Sequence, residues 1–383
     1  MNHTSQRIFA DYNSTCPMPA HIQKQIIDVL KTSWANPISL HPHGQQAKMA
    51  LEQAKVKIAN FLDCSPSQLI FTSTATEANA TAIKGYEKSI SQLFIAPIEH
   101  PSVLENSRFL KTSTYTHIVP VLANGQIDLH ALNHLLSPHA GQGLMIVQWA
   151  NNETGVIQPI QAISTLCKKN GIKLHIDAVQ SLGKIEISLK HLHFDSLAFS
   201  SHKLGGISGC AGLVINNQDI NPLMHGGTQQ QGIRPGTLPM HAILACALIC
   251  EDWKQHQKEY IMHMKNARDS FEQTLLHILK DYQIAGIESP RLINTSQVLI
   301  SGIRAQALLS SLDINGIAVS HGAACKTGSL SPSHVLLAMG YSPQEAKSAI
   351  RVSFGPNHTI RDGQIVAEKL IDCATRLRTV ATQ

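Results

Sequence analysis

Seven short, almost wholly apolar segments alternate with stretches of helical periodicity over the first two-thirds of the chain. These segments are 68–74, 92–98, 116–121, 144–150, 173–179, 196–200 and 211–216. A strand that is apolar on both faces must be covered on both sides, as in a parallel sheet between two layers of helices. The sequence therefore predicts an α/β fold with a mostly parallel seven-stranded sheet flanked by helices.

The pattern changes near residue 241, where a long helical stretch begins and later strands become sparser. At 383 residues the chain is also longer than one hydrophobic core usually supports. We therefore predict two domains. The larger covers 13–255, and a smaller α+β domain combines 1–12 with 256–383.

Composition excludes several classes of protein. An apolar fraction of 43% with 15% charged residues is typical of a globular protein. The net charge of +5 is scattered without a basic run, so no nucleic-acid partner is predicted. The longest apolar stretch, 242–250, is too short to cross a bilayer, and the eight cysteines have irregular spacing. These features predict a cytoplasmic protein with free thiols, no membrane association and no metal site.

Candidate site residues follow several of the apolar segments. They are Ala75 with Thr76, His100, Asn152, Asp177 with Gln180, and Ser200 with His202 and Lys203. Each alone has a structural explanation, such as a helix cap or a solvated surface charge. In folds of this class, however, ligands bind at the carboxyl ends of the strands. We therefore predict that these residues form one site.

One ligand matches the chemistry of this set. A helix that begins near Ala75 offers free N–H groups to a phosphate. Lys203 can form a Schiff base with an aldehyde, and Asp177 can keep a ring nitrogen protonated. Pyridoxal 5′-phosphate carries all three groups, and its protonated ring acts as an electron sink. It is the predicted cofactor.

A series of motifs resembles the cysteine desulfurases of the iron–sulfur-assembly and nitrogenase-associated group, which are class V, fold-type I pyridoxal-phosphate enzymes. The motifs cover nearly the whole chain. They include DYNSTCPMP (11–19), FTSTATEANATAIKG (71–85), NNETGVIQPI (151–160), HIDAVQSLGK (175–184), SSHK (200–203), RPGTLP (234–239) and SHGAACKTGSLSPSHVLLAMG (320–340). The resemblance implies a fold-type I transferase that removes sulfur from L-cysteine and gives L-alanine. It also implies a persulfide on Cys325 for transfer to an acceptor protein, in iron–sulfur cluster assembly or tRNA thiolation.

The resemblance also assigns roles to residues. The implied catalytic residues are Lys203 as the Schiff-base lysine, His100 as an acid–base group stacked on the ring, and Cys325 as the nucleophile. The implied cofactor-binding set is Ala75, Thr76, His100, Asn152, Asp177, Gln180, Ser200, His202, Lys203 and Thr237. Thr237 would reach the phosphate of the neighbouring subunit, which implies a homodimer. Asn152 and Arg351 would hold the substrate, with Arg351 on its carboxylate.

Other functions stay open at this point. A selenocysteine lyase, another carbon–sulfur lyase or a class V aminotransferase would use the same cofactor, although an aminotransferase has no need for Cys325. A desulfurase-like protein that binds partners without turnover is a further alternative. The chain departs from the usual motifs at Cys16, Ile207 and His321. Because Cys16 lies in a site motif, it is a minor candidate for a second reactive thiol.

Overall fold

The computed structural model describes residues 7–110, 114–216, 219–322 and 331–381. Its strands are β1 (Ile8–Phe9), β2 (Leu69–Thr72), β3 (Gln92–Ile95), β4 (Tyr115–Ile118), β5 (Gly143–Gln148), β6 (Lys173–Asp177), β7 (Ser196–Ser200), β8 (Ala211–Ile215), β9 (Tyr282–Ile284), β10 (Thr295–Ile300), β11 (Ile317–Ala318) and β12 (Ala349–Ser353). Its helices are α1 (Ala20–Thr32), α2 (Pro42–Leu62), α3 (Ala75–Gly85), α4 (Pro101–Arg108), α5 (Leu129–Leu136), α6 (Ile160–Lys169), α7 (Met240–Ile278), α8 (Ala305–Ile314), α9 (His334–Ala338), α10 (Pro343–Ala346) and α11 (Ile360–Ala381).

The central sheet has seven strands in the order β2-β8-β7-β6-β5-β3-β4. Strand β8 runs antiparallel to both of its neighbours, and the remaining pairs are parallel. Only a short connection separates β7 from β8, and such a connection favours antiparallel pairing. Each of the seven predicted segments supplies one strand, and the predicted α/β fold with a mostly parallel sheet is confirmed.

Both faces of this sheet are buried. On β5, Met145 and Val147 join a cluster with side chains of α1, α2, α6 and α7. The alternate residues Leu144 and Ile146 join a second cluster with side chains of α3 and α4. Successive side chains of a strand point to opposite faces, so a continuous apolar run supplies two cores at once.

A second, three-stranded antiparallel sheet has the order β12-β10-β9. One face, with Val298 and Val352, packs in a separate core with α8, α11 and the later part of α7. On the opposite face, Leu299 and Ala349 belong to the core of the central sheet. This second face therefore lies against the large α/β unit, and it also carries Gln297 and Arg351, which are paired across β10 and β12.

The predicted domain boundary near residue 255 falls inside α7, whose early residues pack with the central sheet and whose later residues pack with the small one. The boundary stays a prediction. None of the described helices combines the length and the apolar character needed to cross a membrane.

Candidate active site

Lys203 lies on a short turn that directly follows β7, and the segment after β1 lies against this turn. Its Nζ donates hydrogen bonds to the carbonyl oxygens of Asn13 and Ser14, each at 2.7 Å. The N–H of Cys16 donates to the carbonyl of His202 at 3.0 Å. Gly205 has φ +100°, and a Cβ there would lie 3.1 Å from the Pro17 oxygen. Glycine is therefore required for this close approach.

Asp177 ends β6 and is nearly buried. Its Oδ2 accepts from Nδ2 of Asn79 at 2.9 Å, and its Oδ1 accepts from the N–H of Val179 at 3.0 Å. Asn79 belongs to α3 and also donates to Ser102 Oγ on α4. Two donors therefore set the orientation of the carboxylate, and they tie the strand end to both helices that cover this face.

His100 precedes α4 and caps it. Its Nδ1 accepts from the backbone N–H of Ser102 at 3.1 Å, so the neutral ring carries its proton on Nε2. Burial lowers the pKa of His100, the charge of Lys203 lowers this pKa further, and Asp177 opposes the change. A neutral imidazole at pH 7 is therefore held next to Lys203 and Asp177.

The start of α3 lies at the same edge of the sheet as Ser200. Ala211 of β8 pairs with Thr72 on one side and with Ser200 on the other. Thr74 caps α3, and its Oγ1 accepts from the N–H of Glu77 at 3.1 Å, which leaves Ala75 and Thr76 as the first two helical residues. Free N–H groups at such a helix start bind anions.

His202 lies beside this helix start. Its Nδ1 is 2.8 Å from Oγ of Ser200. Burial lowers the pKa of His202 to about 4, and the nearby charge of Lys203 acts in the same direction. His202 is therefore a neutral hydrogen-bonding group at physiological pH.

Arg351 reaches the site from β12. Its Nη1 donates to the carbonyl oxygen of Asn152 at 2.9 Å, and its Nη2 forms an ion pair with Oδ1 of Asp11 at 2.7 Å. The carbonyl oxygen of Asn152 also accepts from Nδ2 of Asn13 at 3.2 Å. The guanidinium is thus connected through Asn152 to Asn13, the residue whose backbone carbonyl accepts from Lys203.

Among the described residues, Thr237 is a predicted site residue that is not brought into this network. Thr237 is exposed, and within the described part of the chain no hydrogen bond joins it to the other predicted residues. Cys325 lies outside the described residues. Cys16 is buried, and burial raises the pKa of its thiol to about 12. A buried thiol with a raised pKa is a poor nucleophile near pH 7, which argues against a second reactive thiol at Cys16.

Several residues of the site were not predicted from the sequence. They are Asp11, Asn13, Asn79, Glu99, Lys184 and Gln297. Asp11 and Asn13 belong to a motif that the sequence displays, and Lys184 ends another. Glu99 is fully buried next to Asp177, and burial raises the pKa of this carboxyl well above its ordinary value, with the charge of Asp177 adding to the effect. The raised pKa favours the neutral carboxylic acid form of Glu99.

The amide of Gln297 has no hydrogen-bond partner among the described residues. Its side chain is fully buried beside Arg351, and no described residue bonds to its Oε1 or Nε2. A buried polar group without a partner costs roughly 1–3 kcal/mol. We expect Gln297→Met, which keeps the length of the side chain, to raise the free energy of unfolding of the cofactor-free protein by about 1 kcal/mol in urea denaturation.

A matched control for this variant is Gln148→Met. The amide of Gln148 is also buried, but it donates to the carbonyl of Ile98 at 2.5 Å. This variant should lower the free energy of unfolding, because the Ile98 carbonyl loses the shorter of two side-chain hydrogen bonds and keeps only that from Asn151 Nδ2 at 3.2 Å. A loss of stability in both variants would contradict the assignment of Gln297 as unsatisfied.

Comparison with known proteins places these residues in a family. The class-V aminotransferase family matches residues 8–366. The chain belongs to this family. A cysteine desulfurase from Enterobacter agglomerans is 33% identical over 382 residues, which cover 98% of this chain and 94% of that protein. The solved structure of a NifS-like protein from Rickettsia africae is 31% identical with a TM-score of 0.88, and the match covers 97% of this chain and 100% of that one. A structure of SspA in complex with cysteine is 28% identical with a TM-score of 0.78, covering 92% and 99%.

These matches confirm the resemblance to class V cysteine desulfurases and the fold-type I architecture. The family depends on pyridoxal phosphate, and the predicted cofactor is confirmed. The donor set of this chain fits that molecule. It offers a primary amine at Lys203, a buried carboxylate at Asp177 and the start of α3. Among the described residues, no group of three or more His, Cys, Asp or Glu side chains is arranged to hold a metal ion.

Proposed function

We propose that this chain is a pyridoxal-phosphate-dependent cysteine desulfurase that converts L-cysteine to L-alanine and carries the removed sulfur as a persulfide on Cys325. One observation carries the proposal. The amine of Lys203 and the guanidinium of Arg351 are joined by hydrogen bonds through Asn13 and Asn152, which supports one site with an amine-handling and a carboxylate-binding group. The cysteine desulfurases among its relatives support the same reaction.

The cofactor supplies an aldehyde for an amine and a protonated ring that accepts electrons from the substrate carbon. We propose that Lys203 bonds this aldehyde and that Asp177 pairs with the ring nitrogen. Gln180 would bind the ring hydroxyl. The start of α3, with Ala75 and Thr76, would hold the phosphate. Ser200 and His202 would complete the phosphate site.

Arg351 is suited to bind the carboxylate of the substrate. The Arg351 side chain is 3% exposed, and the ion pair with Asp11 restricts the orientation of its guanidinium. A planar guanidinium binds a carboxylate through two parallel hydrogen bonds, which also orients the α-carbon. Asn152 would contribute a further polar contact from the other side of the substrate.

Proton transfer falls to two groups. Lys203, once its amine is released, can accept and return protons at the substrate carbons. His100 is neutral near pH 7 and carries its proton on Nε2, so it can donate that proton and take it back. We propose that His100 also lies against the ring face.

Cys325 is the proposed sulfur acceptor within the enzyme. Its thiolate attacks the sulfur of the bound cysteine, a sulfur–sulfur bond forms, and the carbon–sulfur bond breaks with its electron pair going to carbon. Protonation of that carbon yields alanine. A second thiol or a reductant then takes the sulfur from Cys325. The role of Cys325 rests on the resemblance, because this residue lies outside the described part of the chain.

The test is the reaction of the purified holoenzyme with L-cysteine and a thiol reductant. We expect equimolar alanine and sulfide. Mercaptopyruvate in place of alanine would indicate an aminotransferase and contradict the proposal. A parallel assay with L-selenocysteine measures the alternative activity, and a higher kcat/KM for that substrate would favour the selenocysteine lyase.

We further propose that the enzyme is a cytoplasmic homodimer in which Thr237 serves the phosphate site of the partner subunit. The exposure of Thr237 supports this arrangement, as do exposed apolar side chains between α1 and α2, such as Trp34 and Leu40. Light scattering must then give twice the mass of one chain. The acceptor is proposed to be a protein, either an iron–sulfur scaffold or a relay for tRNA thiolation.

A further inference from the structure

A buried lysine that none of the proposed steps uses is connected to Lys203 through a single residue. Lys184 is 4% exposed. Its Nζ donates to Oδ1 of Asn13 at 3.1 Å and to Oε1 of Gln180 at 3.0 Å. Gln180 in turn donates from Nε2 to the carbonyl oxygen of Asn13 at 2.9 Å. Lys184 therefore contacts Asn13 directly and also through a second residue.

Asn13 has no hydrogen-bonding capacity to spare. Its Oδ1 accepts from Lys184 and from Nδ2 of Asn294 at 3.2 Å, while its Nδ2 donates to the Asn152 carbonyl and to Oγ1 of Thr295 at 2.9 Å. An amide with two donors on its oxygen side and two acceptors on its nitrogen side has only one satisfied orientation. The backbone carbonyl of Asn13, which receives Lys203, is therefore set in one direction.

Burial of the Lys184 amine costs free energy, and no ion pair with a described residue offsets this cost. Burial lowers the pKa of Lys184 to about 7, and the charges of Lys203 and Arg351 act in the same direction, while Cys16 opposes them. A methionine would fill a similar volume without this desolvation cost. Unlike an apolar side chain, the amine of Lys184 donates hydrogen bonds to Asn13 and Gln180, two residues of the proposed site.

We propose that Lys184 is a positioning residue that fixes Asn13, so that the carbonyl oxygens of Asn13 and Ser14 receive the amine of Lys203 whenever that amine is not bonded to the cofactor. The proposal rests on the proposed role of Lys203. During each turnover the released amine must return to a place from which it can move protons and bond the aldehyde again. Displacements of about 1 Å in such a group lower rates by up to about a hundredfold.

The test compares Lys184→Met, Asn13→Ala and the double variant. For each, the cofactor-free protein is mixed with pyridoxal phosphate, and the rate of covalent attachment to Lys203 is followed by visible absorbance and by mass spectrometry after borohydride reduction. We expect Lys184→Met to slow attachment about tenfold and to lower kcat by a similar factor, with less than about a twofold change in KM for L-cysteine.

The double variant decides whether Lys184 acts through Asn13. If it does, the double variant attaches the cofactor no more slowly than Asn13→Ala alone, because the second change removes an interaction that is already lost. If the double variant is slower than Asn13→Ala by the full factor seen for Lys184→Met alone, the proposal is overturned. An unchanged attachment rate in Lys184→Met would also overturn it. Lys184→Gln, a shorter neutral donor that can still bond to Asn13, is expected to restore part of the rate.

Two controls separate this proposal from other causes. Leu308→Ala removes a buried side chain from the small-sheet core and should lower stability without slowing attachment. If it slows attachment as much as Lys184→Met, general instability explains the effect and the proposal fails. In the wild-type protein, borohydride must fix the cofactor on Lys203. Attachment at another lysine would contradict the proposed role of Lys203 itself, which is a different outcome from a failure of Lys184→Met.

Discussion

Replacement of Lys203 by alanine is expected to lower kcat for alanine formation from L-cysteine by at least about 10⁴-fold. The change removes the amine that bonds the cofactor and the group that moves protons at the substrate carbons. Its Nζ bonds to the carbonyls of Asn13 and Ser14, and the turn is also held by the backbone hydrogen bond between Cys16 and His202, which the variant retains. The fold should therefore survive the change.

The same variant should still take up pyridoxal phosphate without a covalent bond, since Asp177 and the start of α3 are unaltered. The measurement is alanine production together with the absorbance spectrum before and after gel filtration. We expect gel filtration to remove the cofactor from this variant. Where some cofactor remains, borohydride should not fix it to the protein. Lys190→Ala is the matched control, because Lys190 is a largely exposed lysine near Asp63. Retention of wild-type turnover in Lys203→Ala would exclude Lys203 as the reactive amine.

Replacement of Cys325 by serine is the second change with a large expected effect. A hydroxyl does not ionise near pH 7 and does not form a persulfide, so sulfide release should fall by at least about 10³-fold. Cofactor attachment to Lys203 should be unchanged, because Cys325 is not assigned to that step. The measurements are sulfide with a reductant present, and mass spectrometry of the protein after one exposure to L-cysteine, which should show one added sulfur in the wild type alone.

The control for this thiol is Cys64→Ser. Burial raises the pKa of the Cys64 thiol to about 12, and the charge of Asp63 adds to this effect, so Cys64 is not a nucleophile at neutral pH. Its replacement should leave sulfide release unchanged. Persistent sulfur addition in Cys325→Ser would place the persulfide on another cysteine and refute the proposed mechanism.

The fold was predictable because a strand that is buried on both faces has a continuous run of apolar residues. A strand such as β5 must be apolar at every position to pack against helices on both sides, and such runs are recognised without knowledge of their neighbours. No comparable local pattern predicts the order of the strands or the antiparallel direction of β8. They depend on how the connections pack, which is decided by the assembled layers.

The site was predictable to the extent that its residues lie in motifs next to strand ends. Asp177, Lys203 and His100 follow apolar segments, and the edge of the sheet brings them together. The prediction of a reactive thiol at Cys16 lost support for a tertiary reason. Its position in a site motif indicated reactivity, but the segment that contains it packs against the Lys203 turn and buries the thiol.

The sequence by itself determined the fold class and the cofactor, and it indicated the candidate site residues, because each depends on residue type and on short-range pattern. Only the tertiary structure decided which backbone atoms and charges surround the reactive amine. Lys203 bonds to a residue 190 positions away, and Lys184 reaches the same residue over 171 positions. Contacts over such separations depend on the packing of the whole chain. The hydrogen bonds of Asn13 with Lys203 and Lys184 form because the segment after β1 packs against the ends of β6 and β7.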